Sequence, residues 1–93
     1  MSNLLARIKA NAVELLPDSD RYKLRHKVRS SSSNNLYLVS FDNAPGAGYW
    51  TCSCRGNIRH GHCRHLDAAG LKGRAYGHQR LSDYTGTLEL AHA

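Results

Sequence analysis

The chain has 93 residues, enough for one domain with a modest core, and with 41% of them hydrophobic it is too apolar for a disordered tail. No run approaches the roughly 20 apolar residues that cross a membrane. Thirteen Lys and Arg against seven Asp and Glu give a formal +6, which favours polyanionic partners over basic ones.

At the start of the chain, Leu4, Leu5, Ile8, Ala12, Leu15 and Leu16 fall on one stripe, with Arg7, Asn11 and Glu14 opposite. This spacing predicts an amphipathic helix over residues 3–16. Ser2 or Asn3 can cap its start, and Pro17 stops it. The stripe either packs on the domain's own core or docks on a protein partner. Arg7, Lys9 and Glu14 interrupt the apolar run, so the segment does not read as a signal peptide, and a cytosolic location is expected.

Residues 21–29 alternate basic and mostly apolar side chains. In a strand, successive side chains face opposite sides, so Arg21, Lys23, Arg25, Lys27 and Arg29 are expected on one face, roughly 6.5 Å apart. Such a comb suits a polyanion such as a nucleic acid, although lysines also protect solvated edge strands from aggregation. A polar loop over residues 30–35 leads to a second strand over residues 36–41, rich in β-branched and aromatic residues, and the two strands are expected to form an antiparallel hairpin. Pro45-Gly46 breaks the chain again, and Tyr49-Trp50-Thr51-Cys52 reads as a third strand.

That third strand runs into Cys52-x-Cys54, followed by Cys63-x-His65, and these are the only cysteines present. Three is an odd count, and Cys52 and Cys54 are too close for an unstrained disulfide. In a reducing compartment, two tight pairs of soft ligands point to a metal site, and Cys₃His is a common closed set for one structural Zn²⁺ ion. Residues two apart on a strand project to the same side, so Cys52 and Cys54 can present both sulfurs to a single ion. Two residues apart in a helix lie about 200° around its axis, so Cys63 must sit at a helix start with His65 in the first turn. Residues 66–72 can continue that helix to an end near Gly73, with Gly70 as a weak point.

Tyr37-Leu38-Val39, Trp50-Thr51-Cys52-Ser53-Cys54 and Cys63-Arg64-His65-Leu66 followed by Ala68 resemble the SWIM-type zinc finger family. The resemblance covers about residues 22–71 and implies a strand-strand-helix finger with Cys52, Cys54, Cys63 and His65 as zinc ligands. Asp67 departs from the apolar residue usual there. The loop of residues 55–62 is shorter than in many members, and it carries His60 and His62 as possible substitute ligands. The family is implicated in binding DNA or proteins, which fits a basic chain.

The expected fold class is α+β. A small zinc-stabilised domain would contain a three-stranded antiparallel sheet followed by a short helix, with the N-terminal amphipathic helix in front. Its divisions would be residues 1–17, the zinc-binding core at 21–73, and a C-terminal extension at 74–93, in which Leu81, Tyr84, Leu88 and Leu90 form a helix or an edge strand. The expected function is accessory or regulatory nucleic-acid binding, DNA more than RNA, in the cytoplasm, nucleus or nucleoid. Phosphate contacts would come from the five basic residues of the first strand together with Arg55, Arg59 and Arg64. The alternative is a zinc-stabilised adaptor that docks on a larger protein through the N-terminal helix. Four protein ligands leave no open position for a catalytic water, so an enzyme is not expected.

Overall fold

In the computed structural model, which describes residues 4–30 and 34–80, four strands form one antiparallel sheet. They are β1 (Ala12–Leu15), β2 (Tyr22–Arg29), β3 (Leu36–Asp42) and β4 (Tyr49–Cys52), in that order across the sheet. Helix α1 (Leu4–Asn11) precedes the sheet. Helices α2 (Arg55–His60) and α3 (Arg64–Ala69) and a 3₁₀ turn (Arg74–Tyr76) follow it. The expected α+β class holds, with four strands rather than three. Ser2 and Asn3 as caps, the side chains of Leu4 and Leu5, residues 31–33, and Leu81, Tyr84, Leu88 and Leu90 lie outside the described residues.

The extra strand comes from the second half of the expected N-terminal helix. That helix ends at Asn11, whose side-chain amide donates to the Arg7 carbonyl at 2.8 Å. Ala12, Glu14 and Leu15 then pair with Val28, Lys27 and His26. Ladder bonds to β2 replace helical ones here, a tertiary choice that the apolar stripe does not reveal. Ile8 is buried in the core, so α1 is part of the domain, while Val13 and Leu15 stay about half exposed on the edge strand.

One face of the sheet carries the core. His26, Val28, Val39, Phe41, Trp50 and Cys52 are buried, and Ile8, Leu66 and Leu71 close over them. Phe41 and Trp50 meet edge to face with ring centroids 5.5 Å apart.

The basic comb is not on one face. Lys23 pairs with Phe41, but Lys27 pairs with Leu38, so one extra residue of β2 is inserted between them. This bulge includes Leu24, which adopts a left-handed φ of 51°. Phe41 and Leu38 are three apart on β3 and face opposite sides, so Lys23 shares the core side while Lys27 and Arg29 share the outer side. Two of the five charges are also engaged. Arg21 grips the buried Asp42 with two bonds of 3.0 Å, which holds that carboxyl below its ordinary range, and Lys27 lies 3.5 Å from Glu14.

Helix α3 ends at Gly70 rather than near Gly73. Gly70 has φ 73° and donates its N–H to the Asp67 carbonyl, the usual left-handed helix stop. Gly70→Ala is expected to cost about 1–2 kcal/mol in urea unfolding, since a Cβ strains that conformation. Gly73 does different work. It bridges to Trp50, and a Cβ there would collide with the Gly61 carbonyl oxygen. The following 3₁₀ turn packs on the end of α2, where Ala75 N–H donates to Gly61 O at 3.0 Å and Arg74 donates to Ile58 O at 2.6 Å. Residues 74–76 are thus tied to the end of α2.

Candidate metal centre

Cys52 is the last residue of β4, and it shares the core face with Val39 opposite it. Two residues later the chain has left the sheet, and Cys54 is the N-cap of α2 instead of a second strand position. Its sulfur accepts from the Asn57 N–H at 3.5 Å. The stretch between the two ligand pairs, expected as a loop, is thus mostly the short helix α2. Cys63 is the N-cap of α3 and His65 lies in its first turn, as the two-residue spacing requires.

The four ligand atoms come together from three elements. All lie within 4.8 Å of one another, and Cys52 Sγ is 3.7 Å from His65 Nδ1. A tetrahedral zinc ion with bonds of about 2.0–2.3 Å sets its ligand atoms roughly 3.5–3.8 Å apart. The residues therefore fit such an ion once the widest pair draws inward by up to about 1 Å. The three thiols are free and buried, and His65 is half-buried beneath the Tyr37 ring, 4.8 Å between centroids.

The protons on the cluster are unevenly held. A hydrogen bond from Cys52 is the main cause that pulls the Cys63 thiol down to about 5, helped by the Leu66 N–H and opposed by burial. The same bond, together with burial, pushes Cys52 up. The bond thus draws the two thiols in opposite directions, Cys63 toward the thiolate and Cys52 toward the thiol. A bound cation would replace the shared proton, since metal binding requires deprotonated sulfur.

Asn57 is a site residue that the ligand pattern does not include. It is buried, and its side-chain amide donates to Cys52 O at 3.0 Å, so it ties the end of β4 to the start of α2. Its position three residues after the N-cap Cys54 is the helix-capping spacing, and that was the available signal. His60 and His62 do not join the ligand cluster. They are exposed and line an open groove of about 460 Å³ beside it, together with Arg55, Arg64 and Cys63.

The expected basic residues divide by location. Arg55 and Arg64 flank the metal cluster, Arg59 is exposed on α2, and Arg29 shares a neighbouring pocket with Arg64. No ion pair involves these four among the described residues. Arg21 and Lys27 are paired, Arg25 reaches the Pro17 carbonyl at 3.4 Å, and Lys23 lies on the other face. Among the described residues no helix is long and apolar enough to cross a membrane. The chain matches no family model, no curated protein and no solved structure.

Proposed function

We propose that this chain is a small zinc-binding domain, akin to SWIM-type fingers, that binds nucleic acid through the basic surface around its metal centre. The observation that carries the reading is the convergence of three buried thiols and one imidazole on a single point. Cys52, Cys54, Cys63 and His65 would hold Zn²⁺, and the ion would pin α2 and α3 to the end of β4. Four protein ligands complete its shell, which favours a structural over a catalytic ion.

For nucleic acid the favoured contacts are Arg29, Arg55, Arg59 and Arg64, because they have no salt bridge among the described residues; Arg29, Arg55 and Arg64 line the pockets beside the metal site, and Arg59 is exposed on α2. Lys23, Arg25 and the paired Arg21 and Lys27 contribute less. A salt titration of DNA and RNA binding tests this. Arg55→Ala with Arg64→Ala is expected to lower the slope of log affinity against log salt by about two units, one per lost phosphate contact, while Lys23→Ala leaves it nearly unchanged. Equal slopes in the double variant and the parent would remove these two arginines from the interface.

The second reading is a protein adaptor. Burial of Ile8 uses the α1 stripe internally, so the specific observation in its favour moves to the edge strand β1, where Val13 and Leu15 are exposed. Partner loss in Val13→Lys with Leu15→Lys, without measurable nucleic-acid affinity in the parent, would favour the adaptor.

A further inference from the structure

His26 is fully buried in the middle of β2, and its Nδ1 lies 2.9 Å from the Leu24 carbonyl oxygen. A carbonyl oxygen only accepts, so Nδ1 carries the ring proton and Nε2 is left as an acceptor. Burial pushes the pKa of this ring down and keeps it neutral. His65 has the opposite requirement. Its Nδ1 faces Cys52 Sγ, and a ring that ligates through Nδ1 must carry its proton on Nε2.

Both Nε2 atoms are buried and lack a hydrogen-bond partner among the described residues. Both histidines line one pocket of about 270 Å³ between α1, the sheet and α3, walled by Val28, Val39 and Ala68. One ring offers a donor and the other an acceptor. A water molecule occupies about 30 Å³ and seeks two to four polar partners, so the pocket has room for one.

We propose that His26 is a positioning residue of the metal centre. A water in this pocket accepts from His65 Nε2–H and donates to His26 Nε2, and so fixes the tautomer and the ring orientation of the metal ligand. Asn11, which also lines the pocket, is a further polar neighbour for the bridging group. The partner of a metal-bound imidazole is commonly a carboxylate, a carbonyl or a water, and its loss typically costs 10–100-fold in metal affinity. Here a second imidazole, locked by the β2 bulge, would set the orientation of that water.

The inference rests on zinc ligation by Cys52, Cys54, Cys63 and His65. It is tested on the ¹⁵N-labelled, zinc-loaded full chain by long-range proton–nitrogen spectra and by zinc release to a chromophoric chelator. The expected spectra show His26 protonated on Nδ1 and His65 on Nε2, with the His65 proton shielded from exchange. His26→Gln supplies an amide oxygen near the lost acceptor and is expected to hold zinc within about threefold of the parent, whereas His26→Leu weakens it 10–100-fold and speeds exchange of the His65 proton. If the leucine variant does not fold, His26→Asn replaces it, since asparagine keeps the bond to Leu24 but lacks the far acceptor. A His65 protonated on Nδ1, or zinc retention in His26→Leu or His26→Asn equal to the parent, overturns the role of His26. Failure of the parent chain to take up one zinc overturns instead the metal reading beneath it.

Discussion

Stripping the metal is expected to abolish the cooperative thermal transition of this domain, or to lower its midpoint by tens of degrees. The apparent binding energy of a structural zinc at pH 7 is about 10–16 kcal/mol, against a total stability of about 5–15 kcal/mol for an ordinary domain. Without the ion, the segment from Cys52 to Leu66 is held by short helices, the Asn57 bonds and the contacts of Arg74 and Ala75 with the end of α2, and the three thiols lose their common partner. Melts followed by circular dichroism with and without a strong chelator measure the effect. Cys63→Ser is expected to mimic chelation in the presence of zinc, and coincident melts in all three samples would sink the metal's structural role. The pH dependence has a definite sign. Zinc binds deprotonated sulfur, so retention is full at neutral pH and is lost as acid protonates the thiols.

Trp50→Ala is expected to cost about 3–5 kcal/mol, a large part of the stability of so short a chain. Trp50 is completely buried, packs edge-on against Phe41, and its backbone N–H donates to Lys72 O at 3.0 Å. Its side chain is the largest in the core, and the residue also joins the sheet to the segment that follows α3. Urea unfolding of zinc-saturated protein separates this loss from that of the metal. Trp50→Phe should lose less, since an aromatic ring still fills part of the space. A loss below about 1 kcal/mol for the alanine variant would mean that the surroundings close over the gap.

The convergence of Cys52, Cys54, Cys63 and His65 was the most legible part of the sequence, because their chemistry and spacing constrain one another. Cys63 and His65 could converge only at a helix start, and α3 begins there. Cys54 was less legible. The two-residue rule for strands holds only while the strand continues, and β4 ends at Cys52. Helix α2 was hidden because six residues containing Gly56 carry no helical period of their own. The division of Ala12–Leu15 from α1 depends on pairing with β2, which lies well along the chain. The bulge in β2 was illegible for the same kind of reason. Tyr22, Leu24, His26 and Val28 alternate perfectly with basic residues, and only the register against Phe41 and Val39 requires the extra residue. Local pattern fixes what an element prefers, while pairing decides where its side chains point.

The sheet order has a consequence for how the chain is made. Each strand pairs with the one before it, so a polypeptide emerging from a ribosome can register β1 to β4 before Cys63 and His65 have emerged. The ligand stretch comes afterwards and is itself contiguous, from Cys52 to His65. Capture of an ion by this cluster would then be the closing step of vectorial folding: the nascent sheet offers Cys52 first, and an ion would seal the domain once the last ligand clears the exit tunnel.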